Sequence, residues 1–202
     1  MAMILLGAFS VGLVAVGLRA LILRRELHPF DVRWMGLLFV AFLPQWFAFV
    51  LPTRFEIPDV WASLALVSSQ IGLLLFALAN VSKPGFPLLA LGLASNLLVI
   101  LLNGGWMPIS PEMVQRVLPQ ASPNFWQIGA RLGTGKDIVL PVEQTRLWVL
   151  SDIFLIHYGW NRAAFSPGDV LVALGVIRAL WALADRPAPA RISASPVAAQ
   201  EG

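Results

Sequence analysis

Apolar residues run through this chain in long blocks, with the polar residues gathered into the gaps between them. Five blocks approach the length a bilayer needs: Ile4–Leu23, Trp34–Leu51, Val60–Leu78, Phe86–Leu102 and Val170–Leu183. The first, at roughly 20 residues or 30 Å of helix, matches the hydrocarbon core. A sixth apolar run, Leu147–Ile156, is too short to cross and carries Asp152 at its centre, so it reads as an interfacial or re-entrant helix. The pattern predicts an all-α integral membrane protein with about five transmembrane helices plus that short helix, in a single domain over residues 1–184.

The stretch from Asn96 to Pro111 organises the rest. Its apolar run ends not on charges but on Asn103-Gly104-Gly105-Trp106-Met107-Pro108. The glycines allow positive φ or close backbone approach, and Pro108 and Pro111 stop the helix from resuming. Trp106 has the apolar body and polar N–H suited to a membrane–water interface. After it comes a polar stretch, 103–146, broken by five prolines. Within it, Pro111–Leu118 reads as a short helix capped by Ser110. Gly133-Thr134-Gly135-Lys136 lacks the full spacing of a phosphate loop and follows no strand, so it reads as a turn. Pro44 is expected to kink the second block. The tail, 185–202, is rich in Pro, Ala and Ser and reads as disordered.

Composition supports the membrane assignment. The 202 residues are 58% hydrophobic and 12% charged, with a mean hydropathy of +0.77; soluble domains carry about 25% charged residues. The formal charge of +3 comes from scattered residues with no basic stripe, which argues against nucleic acid as a partner. With no cysteine, disulfides, thiolate metal sites and cysteine nucleophiles are excluded. Eight tryptophans against one tyrosine suit a protein with many interfacial anchors. The first block has no positive residues ahead of its apolar run; Arg19 stands near its end, Arg24 and Arg25 just beyond, and no small-x-small cleavage site follows, so it reads as a retained helix and not a signal peptide.

The positive-inside rule sets the orientation. Arg24, Arg25 and Arg33 fill the first connector, Lys83 the third, and Arg186 and Arg191 the tail, against Arg54 in the second connector. Five spans with the N-terminus outside and the C-terminus in the cytoplasm place this charge inside, leaving 103–146 extracytoplasmic.

Candidate sites follow from polar groups in apolar surroundings. Asp152 amid Leu, Val, Ile and Phe is a candidate proton carrier or general acid, since burial raises a carboxyl pKa. Its plainer reading is an interfacial residue facing water or pairing with Arg146 or Arg162. Asp169 with Ser166 and Pro167 matches a helix start. Arg178 within the last block reads as a residue that snorkels to the cytoplasmic face, or that holds an anionic head group or partner subunit. Gln45, Gln70 and Asn96 read as interhelical hydrogen-bond partners, or together as a cavity lining. Asn103 with the Gly104–Gly105 backbone and Trp106 reads either as a helix C-cap beside an interfacial tryptophan or as a site for a head group or quinone carbonyl. His28 and His157 fall on opposite sides of this topology and show no ligand spacing, so neither a metal nor another cofactor is expected.

The strings NGGWMPIS (103–110), RLWVLSDIF (146–154) and FSPGDVLVALG (165–175) resemble an uncharacterised family of bacterial polytopic membrane proteins. The resemblance covers most of the chain beyond the first block, implies a bacterial inner-membrane location, and transfers no catalytic residue. The functional expectation is a membrane-embedded accessory or scaffold subunit of a larger complex, such as a photosynthetic or respiratory one, contacting lipids and other membrane subunits. The alternative is a small transporter or enzyme that binds a lipid or quinone-like molecule at the outer interface, centred on Asn103, Trp106, Asp152 and Asp169.

Overall fold

The computed structural model describes residues 2–23, 27, 31–50, 57–122, 124–159 and 161–184. The chain is mostly helical, with six α-helices among these residues. In order they are α1 (Ala2–Ile22), α2 (Met35–Gln45), α3 (Asp59–Ala79), α4 (Phe86–Leu102), then strand β1 (Met107–Ile109), α5 (Pro111–Val117), strands β2 (Asp137–Val139), β3 (Phe154–Tyr158) and β4 (Asn161–Phe165), and finally α6 (Pro167–Ala182). Pro44 sits inside α2 and removes one intrahelical donor. Two residues later the helix widens into a π-helical segment, Trp46–Val50.

One described helix, α3, is long and apolar enough to cross a membrane; Phe9–Ile22, Met35–Phe49 and Phe86–Leu102 are shorter apolar helices. Five membrane-spanning helices are therefore not supported by length and composition. The expected short helix at 147–156 is also corrected. That run forms a single 3₁₀ turn, Trp148–Leu150, and then β3. An apolar run of ten residues is ambiguous between helix and strand. Here the antiparallel pairing of Phe154–Tyr158 with Asn161–Phe165 decides it. The tail from Asp185, His28, Arg24, Arg25, Arg54, Trp160 and Pro123 lie outside the described residues.

The long helices form a row in the spatial order α1, α6, α4, α3, α2. The last helix in sequence thus inserts between the first and the fourth. Glycines make that insertion close. A Cβ on Gly92 would lie 2.5 Å from the carbonyl oxygen of Gly168, and one on Gly175 would lie 2.8 Å from that of Gly85. Two glycines seven apart on each helix let antiparallel backbones touch, the small-residue contact that packs helices without a hydrophobic drive. Arg19 donates from Nη1 to the carbonyl of Trp181 and lies over its ring, at 3.1 Å and 4.6 Å, which joins the C-terminal ends of α1 and α6.

The polar stretch between α4 and α6 folds on one end of this row. β1 pairs in parallel with β2, Met107 opposite Asp137 and Ile109 opposite Val139. Ile109, Met113, Val114 and Val139 form a buried cluster, with Leu155 of the hairpin and Trp126 packed against it. Ser110 caps α5 by accepting from the N–H of Met113.

Candidate functional site

Asn103 ends α4 and is fully engaged within the chain. Its Nδ2 donates to the carbonyls of Val99 and Arg146, at 2.7 and 2.9 Å, and its Oδ1 accepts from the N–H of Arg146 at 3.0 Å. Gly104 and Gly105 both take positive φ, 75° and 86°. Gly105 must be glycine for a second reason: a Cβ there would overlap the hydroxyl oxygen of Ser63 on α3. That hydroxyl donates to the Gly105 carbonyl at 3.2 Å.

Trp106 is buried between Ala48 and Ala62 and is not exposed as an interfacial anchor. The Arg131 guanidinium stands 5.1 Å from its ring and 5.3 Å from that of Phe49. The same guanidinium donates to the carbonyls of Gly135 and Thr134. The motif that the sequence offers as a ligand site therefore locks the polar layer onto the helices.

Asp169 and Ser166 form a reciprocal capping box at the start of α6. Asn96 of α4 closes it, donating to Asp169 Oδ1 at 2.9 Å and accepting from Ser166 Oγ at 2.8 Å. All three side chains are buried, and a satisfied buried network of this kind rigidifies the contact between two helices. Gln45 likewise bonds Ser69 across α2 and α3. Gln70 is buried with its Oε1 unpartnered, and nothing in the structure accounts for it.

Asp152 is buried, and its partner is neither Arg146 nor Arg162. Lys136 Nζ donates to Asp152 Oδ2 at 2.7 Å and to Asp137 Oδ1 at 2.8 Å. Arg162 instead donates to the carbonyl of Arg116. Burial pushes the Asp152 carboxyl up to about 6; Lys136 opposes the rise, and the charges of Asp137 and Asp169 add to it. Burial acts to lower the Lys136 pKa, but Asp137, Asp152 and Asp169 outweigh it and raise the ammonium above the ordinary lysine range. Lys136 thus bridges two carboxylates, Asp137 and Asp152. Lys136 belongs to the GTGK turn, where no spacing in the sequence points to a carboxylate sixteen residues ahead.

Asp152 also lines a cavity of about 200 Å³. Its wall is completed by Ser110, Glu112, Met113 and Arg116 at α5, by Val142 and Thr145, and by Trp148, Ser151 and Ile153. Asp152 Oδ1 is buried with no hydrogen-bond partner. Of the other sequence candidates, Asn103, Gly104, Gly105, Trp106 and Asp169 do not line this cavity, and Arg178 lies toward the far end of α6. Among the described residues, no group of three His, Asp or Glu side chains could hold a metal ion.

The chain belongs to DUF5317, a family of unknown function, whose model matches residues 29–181. No curated protein and no solved structure matches it.

Proposed function

We propose that this member of DUF5317 is a membrane-embedded accessory or scaffold subunit of a larger bacterial membrane complex. One observation carries the reading: the helix row exposes large apolar side chains along its outer faces while its polar side chains bond inward. Phe39 and Val40 on α2 and Val60 and Trp61 on α3 are each more than 60% exposed. Large apolar side chains exposed in this number are suited to lipid or partner helices, not to water.

The direction of the helices supports the same reading. Gln45 against Ser69 and Arg33 against Asn80 make α2 and α3 antiparallel, and Ser63 against Gly105 does so for α3 and α4. Arg33 and Lys83 then fall at one end of the row and the folded polar layer at the other. By the positive-inside rule the basic end is cytoplasmic, with the N-terminus outside. α4 and α6, at 17 and 16 residues, reach only about 25 Å, short of the roughly 30 Å hydrocarbon core. Short helices are accommodated by thinning the bilayer or by association with other subunits.

A second reading, binding of a lipid-like molecule at the outer interface, is favoured by the cavity at Asp152. A transporter or enzyme centred jointly on Asn103, Trp106, Asp152 and Asp169 is less favoured, because of those four only Asp152 lines this cavity. Photo-cross-linking tests the subunit reading. With p-benzoylphenylalanine in place of Phe39 or Trp61, irradiated native membranes should yield a discrete protein adduct. Lipid adducts alone at both positions would contradict it.

A further inference from the structure

The cavity at Asp152 has a chemical bias that names its occupant. The Thr145 hydroxyl donates to the carbonyl of Pro141 and the Ser151 hydroxyl to that of Trp148, at 2.9 and 2.6 Å. Both hydroxyl hydrogens are spent within the protein, so these groups offer a ligand only acceptor oxygens. Asp152 adds Oδ1, a buried carboxylate oxygen without a partner. A buried acceptor left unmade costs free energy; Oδ1 has almost no accessible surface, so a donor in the cavity recovers that cost once the Asp152 side chain or the wall beside it shifts to admit it. At the rim, Glu112 is held ionised: its own backbone N–H, the Ser110 hydroxyl and Arg116 all lower its pKa. Met113, Val142 and Ile153 supply apolar wall, and Arg116 is the cation among the lining residues.

We infer that this cavity binds a primary ammonium group, its N–H donors on Asp152 Oδ1 and its anionic neighbour on Arg116, as in a phosphoethanolamine-type zwitterion. The volume suits a head group and not an acyl chain: at about 30 Å³ per water, 200 Å³ corresponds to roughly seven waters. The same chemistry is carried by a phospholipid head group and by a free phosphorylated amine. The site lies in the polar layer beside the ends of α4 and α6, which leaves both sources able to reach it. This inference does not rest on the accessory-subunit reading.

The test uses the full chain in lipid-free detergent micelles, labelled with 5-fluorotryptophan. Trp148 lines the cavity, and its ¹⁹F resonance is assigned from Trp148→Phe. Glycerophosphoethanolamine and ethanolamine should each move that resonance saturably, and glycerophosphoglycerol should not. Asp152→Asn should weaken both amines about tenfold or more, the effect of losing one charge-assisted hydrogen bond. Arg116→Gln, at an exposed position that leaves the fold intact, should weaken glycerophosphoethanolamine and spare ethanolamine. If Asp152→Asn fails to fold, that contrast decides alone. A shift in nanodiscs of phosphatidylethanolamine, without added amine, identifies the lipid as the source. A shift confined to soluble amines identifies the free compound. No saturable shift with either amine, or an equal shift with glycerophosphoglycerol, overturns the proposal.

Discussion

Asn80 and Asn103 make the same three side-chain hydrogen bonds at opposite ends of the helix row. Each stands just past the last residue of its helix and donates to the carbonyl four residues back, Phe76 or Val99. Each also donates to the carbonyl of an arginine and accepts from its N–H, Arg33 for Asn80 and Arg146 for Asn103. In both cases the residue after the arginine, Trp34 or Leu147, takes the left-handed conformation at φ 59° or 54°. An amide side chain used in this way acts as one more strand partner. It pins the start of α2 at one end and the turn leading to Asp152 at the other.

Asn103→Ala should therefore cost about 1–2 kcal/mol, since it leaves the part-buried backbone groups of Arg146 without their partner. Asn103→Asp should recover little, because the carboxylate keeps one acceptor and loses both donors. Denaturant titration of the chain in micelles measures both. Asn80→Ala should add its own loss independently, as the two sites lie far apart.

The pH dependence of stability should carry the signature of Asp152. Its folded pKa is raised, from 3.8 to about 6, so the folded chain binds that proton more tightly than the unfolded one. This group therefore makes stability fall as pH rises between those two values, with no further slope above them. Lys136, raised as well, contributes stability below the ordinary lysine range and loses it only as pH climbs through its folded value. Denaturation across pH 4–7 should show wild type losing on the order of 2 kcal/mol more than Asp152→Asn. Parallel curves would remove the buried-carboxyl account.

The α4–α6 contact should reject a single methyl group. In Gly92→Ala the new Cβ meets the Gly168 carbonyl and Val172, and backbone cannot yield as a side-chain tip can. A loss of about 1–3 kcal/mol follows. Gly17→Ala is the control: its Cβ has nothing within 4 Å, and helix propensity alone should leave it neutral or stabilised by up to about 1 kcal/mol.

Arg131→Lys should loosen the joint between the polar layer and the helices. Lysine keeps the charge but cannot fork to Gly135 and Thr134 while lying over Trp106 and Phe49. A loss of about 1–2 kcal/mol and a red shift of Trp106 emission are expected. The emission change is isolated by comparison with Trp106→Phe.

The sequence exposes what is local and hides what is not. Ser166-Pro167-Gly168-Asp169 and Ser110-Pro111 announce their caps because every group in a cap lies within one turn. The apolar block Phe86–Leu102 is bounded by Pro, Gly and Asn on its own sequence, and α4 ends where those residues stand. Nothing local joins Lys136 to Asp152, or Asn96 to Ser166 seventy residues later. The β3–β4 hairpin is hidden in the sequence because an apolar run with one carboxylate fits helix and strand alike, and its turn at Gly159 shows only through positive φ. Trp106 has the composition of an interfacial anchor, and only the placement of Arg131 and Ala62 makes it a buried one.

The most direct measurement is mild-detergent solubilisation of native membranes, followed by size separation and identification of the proteins that travel with this chain. The account predicts co-migration with a larger membrane complex in a fixed ratio, surviving a second separation. Migration as a monomer or small homo-oligomer, with only lipid attached, would contradict it.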